Sequence, residues 1–203
     1  MPPYDLRARC SRYFTFADLI ECGDTWRRLQ CEGAAVPDLP ALDATWEGIA
    51  RLAEAVLDPL HERFGRVEIT YGFAGPSLTR HIRSSIAPAL DQHAGSELSP
   101  RGVVLCKRGG QACDLRVPGV SAFEVARWLR GNLPFDRMYL YGEGRALHVS
   151  FGPTKGGLTY AMVRGARRVV PRALRDDGDW GGLETTFAAS AGADGVAQRP
   201  RVG

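Results

Sequence analysis

The chain has 203 residues, 44% of them hydrophobic and 24% charged, and 26 Lys and Arg against 23 Asp and Glu leave a formal net charge of +3 with His neutral. So slight an imbalance does not make a polyelectrolyte clamp, so charge calls for neither nucleic acid nor a membrane surface as partner. The composition fits one soluble domain with a proper core and excludes disorder, coiled coil and collagen, and no stretch approaches the roughly 18 uninterrupted apolar residues of a membrane span.

In chain order, Met1-Pro2-Pro3-Tyr4-Asp5-Leu6-Arg7 lacks the apolar run of a signal peptide, and a cytoplasmic location is expected. The five cysteines, Cys10, Cys22, Cys31, Cys106 and Cys113, are odd in number and show no CxxC spacing, so reduced thiols are expected. Residues 34–43 carry two prolines and no consistent period, which predicts an irregular connection. Trp46, Ile49, Ala53, Val56, Leu57, Leu60 and Phe64 then recur at three- and four-residue steps and predict one long helix. Asp43 or Thr45 is expected to cap its start, and Gly65 stands where it should stop.

The alternating segment Val67–Tyr71 predicts a strand, and the stretch from Ser77 to about Ala89 a helix. A long loop from Ala94 to Gly102 is expected next, followed by short strands at Val103–Leu105 and Cys113–Val117. Ser121 and Glu124 have the spacing of a capping box, so a second helix starts there and ends at Asn132-Leu133-Pro134. Met138–Tyr141, Leu147–Phe151 and Leu158–Val163 predict three more strands, the first two joined through Gly142-Glu143-Gly144. Together these elements predict an α+β fold, helices packed on a largely antiparallel sheet. The folded domain is expected to span 1–171, with 172–203, poor in core-forming residues beyond Trp180 and Phe187, as a flexible or loosely docked tail. The arginines at 164, 167, 168, 172 and 175 predict a solvated edge.

Few residues can carry chemistry. His61 and His81 lie among arginines and glutamates on predicted helices and are expected at the surface. His148 sits in the apolar run Ala146-Leu147-His148-Val149-Ser150-Phe151, where its ring nitrogens need partners, either backbone groups or a ligand. Asp114 stands in mid-strand, and a buried carboxylate there needs an arginine such as Arg116 or a bound cation. Cys113 should face the other side of the sheet as a core thiol, Trp128 should pack in the core, and Tyr139 and Tyr141 should share a face.

The order of these words resembles the zinc D-alanyl-D-alanine carboxypeptidase family, which shares its fold with the Hedgehog amino-terminal domain. That family has a strand ending in SGYR, a HxxGxAxD segment and a later strand with a histidine in a context such as WHVS. Here the corresponding words are Thr70-Tyr71-Gly72-Phe73-Ala74, Asp91-Gln92-His93, Gly110-Gln111-Ala112-Cys113-Asp114 and Leu147-His148-Val149-Ser150, over roughly Tyr13 to Val170. The resemblance implies that His93, Asp114 and His148 bind one Zn²⁺ with a fourth position for water. Two imidazoles and a carboxylate are a chemically sound open site.

Four departures mark the chain. His93 and Asp114 stand 21 residues apart where the family word spaces them by seven, an insertion of 14 residues. The substrate-gripping arginine of SGYR is replaced by Ala74, with Arg80, Arg108, Arg116 or Arg137 as substitutes and Tyr141 as a further lining residue. The usual positions of the general-base glutamate hold Arg145 and Tyr141, which leaves Glu143. The serine of the family's SxH word is Asp91, which can orient His93 or act as the base. The expected function is zinc-dependent hydrolysis of a small peptide or amide, without nucleic-acid or membrane partners. A non-peptidase zinc enzyme of specialised metabolism on the same scaffold and an inactive zinc-containing binding module stand as alternatives.

Overall fold

The structure, a computed structural model, describes residues 4–33, 39–82, 89–164, 169–175, 180 and 183. Two short helices open it, α1 (Phe16–Ile20) and α2 (Asp24–Cys31). Thr15 starts α1 with a closed capping box in which its hydroxyl and the Asp18 carboxylate satisfy each other's backbone N–H.

The long helix runs from Asp43 to Phe64, as the periodicity predicts, but it is not uniform. It consists of α3 (Asp43–Leu52), a π-helical turn (Ala53–Leu57) and α4 (Asp58–Phe64). Pro59 accounts for the change of pitch: it has no N–H for an ordinary helical bond and its ring crowds the preceding turn, which a local widening relieves. Trp46, Ile49, Leu52, Val56, Leu57 and Leu60 are all fully buried along this element. Neither Asp43 nor Thr45 caps it. The N-cap is Leu42, without a side-chain bond of its own.

That cap comes from the inserted segment. The carboxylate of Glu97, 4% exposed, accepts the backbone N–H of Ala41 at 3.0 Å and of Leu42 at 3.2 Å, and the Thr45 hydroxyl at 2.8 Å. A negative charge at the positive end of a helix is favourable, and here it also satisfies donors that the helix leaves open.

Six strands form one mixed sheet among the described residues: β1 (Glu68–Tyr71), β2 (Gln111–Arg116), β3 (Arg137–Leu140), β4 (Leu147–Phe151), β5 (Leu158–Arg164) and β6 (Val169–Leu174). Their order is β1-β2-β4-β3-β5-β6. The α+β class is as expected. All neighbours are antiparallel except β3 and β5, which run parallel because the chain leaving β4 passes beneath the start of β3 before entering β5. Backbone bonds Asp136 N–H to Ser150 and Leu158 N–H to Asp136 hold that crossing.

Several boundaries differ from the sequence reading. Residues 103–105 form no strand; the insertion shows only a single bridge between Leu98 and Val104. A helix α5 covers Pro76–Thr79, and residues 83–88 of the helix expected there lie outside the described residues. β6 runs to Leu174, beyond the expected boundary at 171, and Trp180 and Leu183 are buried against the core. Helix α6 (Ala122–Asn132) begins as predicted, with Ser121 accepting the N–H of Phe123.

Alternation along the strands divides the sheet. Cys113, Leu115, Met138, Leu140, Leu147, Val149 and Ala161 face the helices and join one core with Trp46, Ile49, Phe123 and Leu129. Cys113 is the core thiol expected, whereas Trp128 is half-buried, its ring set edge-on against Phe64 at 5.5 Å. Asp114, His148 and Tyr139 fall on the other side of the sheet, in register across β2, β4 and β3.

A candidate metal centre

The register explains two members of the cluster. Asp114 and His148 are directly paired on neighbouring antiparallel strands, with His148 Nδ1 2.9 Å from Asp114 Oδ1. Asp114 therefore has histidine, not arginine, as its partner.

The third member arrives from outside the sheet. His93 lies in a 3₁₀ turn (Gln92–Ala94) that Asp91 caps by accepting the His93 N–H. The His93 carbonyl accepts the Ala74 N–H at 3.0 Å and Gln111 Nε2 at 3.0 Å. Gln92 Nε2 ties the same turn to Gly109 O and to the buried carboxylate of Asp136. A backbone fixed at so many points leaves the imidazole little freedom.

The imidazole is also fixed chemically. His93 Nδ1 is 2.7 Å from the carbonyl oxygen of Gly72, and a carbonyl can only accept, so Nδ1 carries the proton. In the neutral ring the lone pair is then on Nε2, which points at the cluster. Such an outer carbonyl is what sets the tautomer of a metal-binding histidine. Gly72 suits the position because a Cβ there would fall on the Leu19 carbonyl.

His93 Nε2 lies 3.2 Å from His148 Nδ1 and 3.4 Å from Asp114 Oδ1. Two donors at zinc-like bond lengths and a tetrahedral angle stand about 3.3 Å apart. The three observed edges, 2.9, 3.2 and 3.4 Å, thus form one face of such a polyhedron. A second carboxylate adjoins the pair: Asp91 Oδ1 is 3.7 Å from His93 Nε2, and Asp91, His93 and His148 also form a group able to hold a metal ion. Asp114 is the nearer of the two acids to His93 Nε2, and both carboxylates stand where a third ligand would be needed.

Without an ion, the charges hold one another. Burial alone lowers the His93 pKa, but Asp91 and Asp114 outweigh it and push it up to about 9. Burial likewise works to raise the Asp114 pKa, and the hydrogen bonds from His148 and His93 hold it well below the usual carboxylate range. Tyr71, ring centroid 4.2 Å from His93, keeps its phenol proton because burial and then the two aspartates raise its pKa.

The remaining residues flagged by the sequence are scattered. Glu143 is exposed in the β3–β4 turn and lines a groove of about 260 Å³ with Glu68, Arg116 and Arg145, to which none of His93, Asp114 or His148 contributes. Arg80 bonds its own helix carbonyl at Pro76, and Arg108 holds the Leu90 carbonyl at 2.6 Å. Tyr141 immediately follows β3 and is half-buried. Arg137 lies on β3 and donates to the Tyr160 hydroxyl at 3.2 Å. Ala74 is buried with Leu29 and Leu78 in a small apolar cluster. His61 stacks on Tyr13 at 4.2 Å, half-buried, and His81 is exposed. Of the basic cluster, Arg164, Arg172 and Arg175 are exposed and 167 and 168 lie outside the described residues.

Glu97, Gln92 and Gln111 also support the site; Gln92 and Gln111 stand inside quoted words and Glu97 four residues after His93, but nothing in their own spacing marks them. No family model matches the chain, and no curated protein or solved structure matches it either.

Proposed function

We propose that the chain is a zinc-dependent hydrolase of the Hedgehog/D-Ala-D-Ala carboxypeptidase type in fold, acting on a small peptide or amide. The observation that carries this reading is the convergence of His93 Nε2, Asp114 Oδ1 and His148 Nδ1 at spacings of 2.9–3.4 Å. Zn²⁺ suits two imidazoles and a carboxylate, and His93, Asp114 and His148 would hold it. When bound, the ion supplies a Lewis acid that polarises a carbonyl and acidifies water.

The chain's own residues do the rest. Gly72 keeps His93 in the tautomer that presents Nε2. Asp91, whose side chain is 14% exposed, is placed to take a proton from the attacking water as the new C–O bond forms and to return it to the leaving nitrogen as the C–N bond breaks. Glu143, turned to a different groove, leaves this task to Asp91. The free cysteines accord with a reducing, cytoplasmic setting.

A second reading, a non-peptidase zinc enzyme on the same scaffold, is favoured by Ala74, whose apolar packing leaves no anion grip at that position. Metal analysis of the purified protein beside His148→Ala and Asp91→Asn tests the first step. Wild type and Asp91→Asn should carry about one zinc per chain and His148→Ala far less. Turnover on a panel of peptides and other amides should vanish in Asp91→Asn. Equal zinc in wild type and His148→Ala would overturn the site, and turnover on non-peptide amides alone would select the second reading.

A further inference from the structure

A chain of contacts leads away from the His–Asp cluster along the same face of the sheet. Tyr139 meets His148 edge-on with ring centroids 5.1 Å apart, and Tyr160 stacks on Tyr139 at 5.3 Å and 17°. The Tyr160 hydroxyl then receives Arg137 Nη1 at 3.2 Å. Arg137 is opposite Ser150 in the β3–β4 register and Tyr139 is opposite His148, so Arg137 is the diagonal neighbour of His148 on one face. Diagonal neighbours lie about 7–8 Å apart, within reach of one small substrate.

Arg137 is half-buried, and among the described residues it has no carboxylate partner. A partly desolvated cation without an acid is costly to keep. The contact to Tyr160 uses one of the five N–H donors of the guanidinium and fixes its position, leaving others to grip an anion in a fork. Its rivals differ in place: Arg80 is exposed after α5, Arg108 lies in the insertion and donates to the Leu90 carbonyl, and Arg116 is exposed at the end of β2.

We propose that Arg137, positioned by Tyr160, is a specificity-determining residue that receives an anionic group of the substrate, a carboxylate or a phosphate monoester, on the β3 side of the His–Asp cluster. This rests on the reading of that cluster as the reacting centre, and it accounts for an arginine kept beside the site without a carboxylate partner among the described residues.

Calorimetric titration of the metal-free protein with N-benzoylglycine, N-benzoyl-O-phosphoethanolamine and the neutral N-benzoylglycinamide tests it without recourse to turnover. At least one anion should bind about tenfold or more tightly than the neutral amide, the difference expected of one charge-assisted fork. Whichever binds better identifies carboxylate or phosphate as the group read. Arg137→Gln should abolish the preference and leave the neutral probe unchanged, Arg137→Lys should retain part of it, and Arg116→Gln should retain all of it, each with a wild-type circular dichroism spectrum. Should Arg137→Gln misfold, the Arg137→Lys and Arg116→Gln arms decide. No preference in wild type, no binding of any probe, a preference that survives Arg137→Gln, an undiminished one in Arg137→Lys, or its loss in Arg116→Gln would each overturn the assignment. Loss of zinc in His148→Ala is read separately, so a failure here leaves the metal reading standing, whereas failure of the metal reading removes the premise of this assignment.

Discussion

Replacing Glu97 by alanine should damage both the fold and the metal centre, although Glu97 is not a ligand. Its carboxylate takes three donors at 2.8–3.2 Å around the start of α3. Hydrogen bonds to a charged acceptor contribute about 1.5–3 kcal/mol each, while relief from burying the carboxylate returns several kcal/mol. The balance, including a cap worth about 1 kcal/mol, is a loss of about 2–4 kcal/mol. At roughly 2–4 °C per kcal/mol for a chain of this size, the melting temperature should fall by about 5–15 °C. Glu97→Gln keeps an accepting oxygen without the charge and should lose about half as much.

The second effect follows from continuity. Glu97 is four residues from His93, Ser96 N–H donates to the same Thr45 hydroxyl oxygen at 3.2 Å, and a Cβ on Gly95 would meet both Thr45 and Gln111. Loosening this segment should weaken zinc binding by about tenfold, as loss of an outer support commonly does. Thermal unfolding with and without zinc, together with a competition titration against a chelator, measures both. An alanine variant within about 0.5 kcal/mol of wild type and unchanged in zinc affinity would refute the reasoning.

Zinc added at about a hundred times its dissociation constant should stabilise wild type by about 2.7 kcal/mol and Asp114→Asn much less, a difference visible in melting curves. The raised His93 pKa fixes the pH dependence. Because its folded value, about 9, lies above the ordinary 6.5, its contribution to metal-free stability is complete below about pH 6.5 and disappears as pH rises through 9. Zinc must displace that proton, so zinc affinity should climb with pH up to about 9; a flat profile between pH 7 and 9 would contradict the assignment. Thiol labelling of the native protein should modify Cys31 fast and the rest slowly, since Cys31 alone is exposed and burial pushes Cys10 and Cys22 up to about 12. Gly72→Ala should cost both stability and zinc affinity, because the carbonyl that orients His93 would have to shift with the backbone, as melting and chelator competition would show.

What could be read from the amino-acid order was what repeats or stands in a recognisable word. The 43–64 helix shows a clear apolar stripe, and the β4 strand was bounded correctly because both neighbours of His148 are apolar. Its π-helical turn follows from Pro59, a local signal that the apolar stripe obscured. The gathering of His93, Asp114 and His148 was expected only through the resemblance to a family, since nothing periodic links a 3₁₀ turn to two strands. The cap by Glu97 was beyond reach for a similar reason: donor and acceptor are 52–56 residues apart, and any buried carboxylate would look the same in one dimension. The Val103–Leu105 run predicts a strand that does not form, because β-branched residues favour that state only when they pack, and Val103 is 59% exposed. Pro171 reads as a terminator, which hides β6 in the amino-acid order. It is tolerated there because β6 is the last strand in the order and pairs on one side alone.

His93, Asp114 and His148 belong to three segments separated by 21 and 34 residues. An ion held by all three acts as a reversible cross-link that closes two long loops of chain, and loop closure of that kind restricts the unfolded ensemble as a disulfide does. On the proposed reading, stripping the ion should therefore do more than end turnover. It should let the sheet and the 92–94 turn come apart independently, so that chelator concentration sets how fast the whole chain opens to a protease.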